Sequence, residues 1–129
     1  MAGLTKIESY LIDLGISYEE VGSNTWLIDD HEKGLPSVIA SLADPVVVIS
    51  AKVMQIPSAD REAFFRELLT LNGGELLHGA YALEGEDVVL IDTLEYGTMD
   101  KSEFEASLDA IGFALSEHYP RLSRFSTNK

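Results

Sequence analysis

Along residues 4–14 the apolar side chains fall at Leu4, Ile7, Leu11 and Leu14, the spacing of one helical face, with Lys6, Glu8 and Asp13 elsewhere around the cylinder. Gly15 supplies a stop, because glycine tolerates the left-handed conformation that follows a last helical turn. The period then changes. "ISYEEVGSNTWLIDD" reads as extended chain with "GSN" as a turn, and Trp26 and Ile28 alternate against Thr25 and Leu27. Beyond the polar loop "DDHEKGLP", the runs "SVIASLAD" and "PVVVISAKVMQI" read as two strands meeting near Asp44–Pro45. Valine and isoleucine dominate the second, where β-branched side chains pack well on a pleated surface. Val47, Ile49, Ala51 and Val53 share the face assigned to the core. The opposite face begins apolar at Val46 and Val48, then turns polar at Ser50 and Lys52.

A second helix opens at Pro57–Ser58, with Ser58 as candidate N-cap and Arg61 and Glu62 in the early turns. Ala63, Phe64, Leu68 and Leu71 make its stripe, Phe65 and Leu69 widen it, and Asn72-Gly73-Gly74 should end it. "HGAYALEGEDVVLIDTLEY" then reads as a hairpin with Gly85 in the turn. The third helix starts near Asp100, capped by Thr98 or Asp100. It runs along Phe104, Leu108, Ile111, Leu115 and Leu122, with Pro120 ending or kinking it and "FSTNK" fraying. These elements predict an α+β fold: an antiparallel sheet of about five strands packed with three helices, in the order α-β-β-β-α-β-β-α. Neither repeat nor linker divides the 129 residues, so one domain spanning 1–129 is expected.

Charge narrows the partners. Nine basic residues face twenty-two acids, a formal charge of −13. Residues 1–117 are more acidic still, because Arg121, Arg124 and Lys129 fall in the last twelve positions with no acid among them. Nucleic-acid binding needs clustered Lys and Arg against phosphate, so the body of this chain should repel nucleic acid and anionic lipid. No apolar run approaches a membrane span, and Glu8, Ser9 and Asp13 interrupt any signal-peptide core. A cytoplasmic protein is the expectation.

The search for reactive groups excludes more than it finds. With no cysteine there is no disulfide, thiolate metal site or cysteine nucleophile. "NGGELLHG" has a helix before it and a strand after it, the reverse of a phosphate loop, and lacks the Lys-Ser/Thr pair. His31, His78 and His118 stand in separate segments, with none of the paired spacing of a zinc motif. His78 and His118 read as edge or helix-capping residues. Asp29, Asp30, His31 and Glu32 could hold a cation or small molecule in principle, but the run lacks the alternating ligands and central glycine of a calcium loop. No nucleophile elbow is present. The expected class is non-enzymatic, with no catalytic residue, cofactor or metal.

Interface chemistry remains. Phe64 and Phe65 are neighbours on a helix and point about 100 degrees apart, so both cannot sit centrally against one sheet. One can serve the core and the other a second interface. Trp26, on an early strand, poses the same choice.

The order of elements, the acidity and "FFRELLTLNGGELLHGAYALEGEDVVLIDTL" together resemble the type III secretion chaperone-like fold, the group of the Tir-chaperone (CesT) family and the related YbjN family. The likeness covers nearly the whole chain and is closest over residues 45–117. It implies a bacterial homodimer that binds an extended segment of a partner protein along hydrophobic patches and strand edges, without catalysis. It also implies that the second helix and the later strands approach the dimer interface, which places Phe64, Phe65 and Leu68, with Tyr81 nearby, at or near it. A YbjN-like regulatory module and a ligand-binding domain using residues 29–32 are the alternatives.

Overall fold

A computed structural model describes residues 5–76 and 78–126. Helix α1 (Lys6–Asp13) starts at a capping box: the Thr5 side chain accepts from the Glu8 N–H, and the Glu8 carboxylate returns to the Thr5 N–H. Gly15 takes φ +68°, as its position after the helix requires. Strands β1 (Tyr18–Gly22) and β2 (Thr25–Asp30) form a hairpin, so the "ISYEEVGSNTWLIDD" segment supplies two strands. A 3₁₀ turn (His31–Lys33) leads into β3 (Leu35–Ala43) and β4 (Val46–Gln55), joined across a cis Asp44–Pro45 peptide. Helix α2 (Arg61–Gly74), strands β5 (Ala80–Glu84) and β6 (Asp87–Glu95), and helix α3 (Lys101–Ser123) complete the chain. The sheet has six antiparallel strands in the order β1-β2-β3-β4-β6-β5. The α+β plan with three helices therefore holds, with one strand more than the pattern suggested.

Alternation divides the sheet into two unlike faces. Trp26, Ile28, Val38, Ala40, Val47, Ile49, Ala51, Val88 and Leu90 are buried in one cluster with Ile7 and Leu11 of α1, Phe64, Leu68 and Leu71 of α2, and Phe104, Leu108, Ile111 and Leu122 of α3. Val53, at a bulge in β4, packs on the rim of this core. The three helices thus share one side of the sheet.

Local details correct the sequence reading at the start of α2 and decide between its alternatives at the two ends of α3. Helix α2 begins at Asp60, not Ser58; Asp60 is left-handed (φ 56°) and makes no capping bond through its side chain. Asp100, rather than Thr98, caps α3 through a capping box with Glu103. Pro120 lies inside α3, which continues to Ser123. His118 and Leu122, buried on either side of it, hold that segment to the core although proline supplies no N–H.

Two glycines permit close approaches. A Cβ on Gly112 would come within 3.1 Å of the Gly34 carbonyl oxygen, where α3 crosses the β2–β3 connection. Gly79, at φ +83°, would place a Cβ 2.8 Å from the Ile91 carbonyl oxygen, so the entry to β5 admits no side chain.

Candidate protein-binding surface

The face of the sheet turned away from the helices carries a row of residues in register. Glu19, Leu27, Ile39, Ser50, Ile91 and Ala80 follow one another across all six strands. Beside it run Ser41–Val48–Thr93 and Lys52–Val89–Ala82. Leu27, Ile39, Val48, Val89 and Ile91 belong to the apolar residues of this face, and none is part of the helix-side core. Leu27, Ile39, Val48 and Ile91 keep part of their surface open. Acidic residues frame the band: Glu19 ends the row, Asp29 follows Leu27 along β2, and Glu95 pairs with Val46. Lys52 on this face lies 3.4 Å from Asp87.

The two edges differ. At β5, Tyr81 presents its outward N–H and C=O to α2, where Asn72 takes both. The Tyr81 N–H donates to Asn72 Oδ1 at 2.7 Å, and Asn72 Nδ2 donates to the Tyr81 carbonyl at 3.1 Å. A side-chain amide therefore stands where a further strand would pair. Among the described residues, strand β1 pairs only with β2 and ends the sheet; Glu19, Glu20 and Val21 are exposed along it. A bulge between Glu20 and Gly22 shortens the regular part of that edge.

Four of the five residues singled out for an interface are inside the single chain: Trp26 (1% exposed), Phe64 (0%), Leu68 (5%) and Tyr81 (6%). The Phe64 ring meets Phe125 edge-on at 5.3 Å. Phe65 is the one that reaches the surface, and it opens onto a shallow groove with Glu62, Arg66, Leu69 and Thr70. Leu69, which the sequence places with Phe65 at the widened edge of the α2 stripe, is 69% exposed, and Leu83 on β5, which the sequence did not mark out, is 50% exposed. The i, i+4 spacing of Phe65 and Leu69 was the available signal.

The histidines sort differently from expectation. His118 is no exposed helix cap: it is 3% exposed, its Nδ1 lies 2.8 Å from the Tyr81 hydroxyl, and its Nε2 lies 3.6 Å from Glu75. Arg121 bridges Glu75 (3.0 Å) and Glu67 (2.6 Å), so this network ties α2, β5 and α3 together. Burial raises the Tyr81 phenol above its ordinary pKa, with the Glu75 carboxylate adding to the rise and Arg121 opposing it. His78 is exposed within the α2–β5 connection.

The acidic run 29–32 does not converge on a ligand. Asp30 turns inward, 7% exposed, and its Oδ2 accepts the Ser17 N–H at 3.0 Å. Asp29 and His31 form an exposed pair at 3.4 Å, and Glu32 points into solvent from the 3₁₀ turn. Among the described residues, no three His, Asp or Glu side chains gather to hold a metal. No described helix is long and apolar enough to cross a membrane.

Among the described residues, three helices pack on one face of the six-stranded antiparallel sheet and leave the opposite face uncovered. The chain belongs to the CesT_Tir_1 family, whose model matches residues 2–128. Among solved structures, it is similar to YbjN, described as a putative transcription regulator from E. coli, at 19% identity and TM-score 0.67, with 93% of each chain covered. A chain of the heterodimeric ExoU–SpcU complex from the type III secretion system of Pseudomonas aeruginosa matches at 14% identity and TM-score 0.61, covering 92% of this chain and 96% of that one. A chain of the HopA1–SchA chaperone–effector complex matches at 4% identity and TM-score 0.68, covering 89% and 91%. No curated protein sequence matches.

Proposed function

We propose that this protein is a non-catalytic, chaperone-like factor that holds an extended segment of a partner protein against the bare face of the sheet and its β1 edge. The observation that carries this reading is the uncovered row Leu27–Ile39–Ser50–Ile91, which reaches toward β1 while Asn72 occupies the β5 edge. Apolar side chains on such a face gain about 25 cal/mol for each Å² they remove from water, and main-chain pairing at an edge adds direction. Family membership and the two similar chains from secretion complexes favour the same role. Self-association through the α2–β5 flank, where Phe65, Leu69 and Leu83 are open, completes the proposal. The acidic frame favours basic or neutral segments over nucleic acid, so a DNA-binding regulator is not the reading adopted.

The test uses fluorescently labelled, reduced and carbamidomethylated ribonuclease A, a basic chain that stays unfolded, as the client. Binding is followed by anisotropy for the unchanged protein and for the Leu27→Ser, Ile91→Ser double variant. A loss of at least tenfold in affinity, with unaltered circular dichroism, is expected. Equal affinity in both proteins rejects the sheet face as the site.

A further inference from the structure

Helix α3 carries a second surface that the sheet-face reading leaves unused. Glu105, Asp109, Phe113 and Glu117 follow at four-residue intervals and form one ridge on its solvent side. Phe113 is 64% exposed, an aromatic ring held in water on a regular helix. Behind the ridge lies a groove of about 370 Å³, floored by Ala106 and Ala110 and walled by Phe113 and by Leu76 of the α2–β5 connection. Glu75 and Asp109 stand at its rim.

Glu75 is paired with Arg121, but the helix itself does not compensate the carboxylates of the ridge. From Ser102 to Pro120 helix α3 has four acids and no Lys or Arg. Glu103 is committed to the capping box, whereas Glu105, Asp109 and Glu117 have no ion-pair partner among the described residues. Arg121, a turn further on, is already held by Glu67 and Glu75. A second copy of the chain docking ridge to ridge would set these carboxylates against their own kind, which costs affinity. A basic partner would relieve them.

The floor selects the shape of that partner. Two alanines one turn apart let another helix approach to about 8–10 Å between axes, and a side chain as large as leucine then fits between Phe113 and Leu76. We infer that this groove docks a basic amphipathic helix of another protein, its apolar face against Phe113, Ala110 and Leu76 and its Lys or Arg side chains against Glu105, Asp109 and Glu117. This surface lies on the helix side of the molecule, so it can be occupied while the opposite sheet face holds a client.

The experiment uses two synthetic 18-residue helical peptides with one leucine pattern, bearing lysine in one and glutamate in the other at all polar positions. Anisotropy titrations run at 0.15 M salt with the unchanged protein and with Phe113→Ser, Ala110→Phe and Ile39→Ser. The lysine peptide should bind at least tenfold tighter than the glutamate peptide. Phe113→Ser and Ala110→Phe, which leave the charges intact, should each weaken it at least fivefold, and Ile39→Ser should leave it unchanged. The inference is overturned if the lysine peptide fails to bind, if it binds Phe113→Ser as well as the unchanged protein, or if Ile39→Ser abolishes binding. The sheet-face proposal is decided separately by the unfolded client and the Leu27, Ile91 variant.

Discussion

Replacing Asn72 by alanine reopens the β5 edge, and the consequence can be sized from two hydrogen bonds. The Asn72 amide receives the Tyr81 N–H at 2.7 Å and donates to the Tyr81 carbonyl at 3.1 Å. A hydrogen bond of this kind contributes about 1 kcal/mol net, so the pair contributes about 2 kcal/mol if water replaces it imperfectly. With a urea slope of about 1.5 kcal/mol per M, the unfolding midpoint should fall by roughly 1.3 M. Stability alone does not identify the mechanism, because any change at a half-buried position can lower it. Hydrogen exchange at the Tyr81 amide does. That amide should be among the protected ones in the unchanged protein, although it faces away from its strand partner, and should lose most of its protection in Asn72→Ala. Neighbouring amides bonded to β6 should keep theirs. The freed edge should also raise aggregation, since unpaired N–H and C=O groups template further strands. Unchanged Tyr81 exchange with a midpoint shift below about 0.3 M would refute the edge-closing role, because the bonds would then carry less than about 0.5 kcal/mol.

Two other outcomes separate core from surface. Phe64→Ala should cost about 3–5 kcal/mol in urea unfolding, since the ring is fully buried against Phe125, whereas Phe65→Ser should cost about 1 kcal/mol or less and instead weaken self-association in sedimentation experiments. The raised phenol of Tyr81 has a signed consequence: it stays protonated in the folded state where the unfolded chain ionises, so the stability it contributes is full below pH 10 and is lost as pH rises above it. Tyr81→Phe should therefore flatten the alkaline loss of stability measured between pH 9 and 11, while lowering stability at pH 7 by about 1–2 kcal/mol because the buried His118 nitrogen loses its partner.

Periodicity carried most of the fold. The alternation in β4 assigned Val47, Ile49 and Ala51 to the core, and the four-three spacing in α3 assigned Phe104, Leu108, Ile111 and Leu122 there. The same logic failed where the signal was local and the outcome was not. "GSN" was readable as a turn, yet only pairing with Ser41 to Val38 on β3 turned the second half of that segment into an inner strand. Ser58 is a good N-cap by type, but the chain turns at a left-handed Asp60 and starts the helix there. Pro120 could be read as ending or kinking α3 because its missing N–H is a local property; that the helix continues past it goes with burial of His118 and Leu122, which is not local.

Of the interface residues, sequence could say that Phe64 and Phe65 point in different directions, and the helix period guarantees it. Which one faces the core depended on where α2 lies over the sheet. The sequence by itself determined the two faces of each strand, the acidity and the order of the elements. Only the tertiary structure decided which edge stays open, because Asn72 and Tyr81 meet through helix placement and not through any spacing along the chain. The same holds for His118, whose partners come from β5 and from the end of α2. Side-chain period is a one-dimensional property and survives translation into sequence; an edge, a groove or a buried polar network exists only once distant segments have packed.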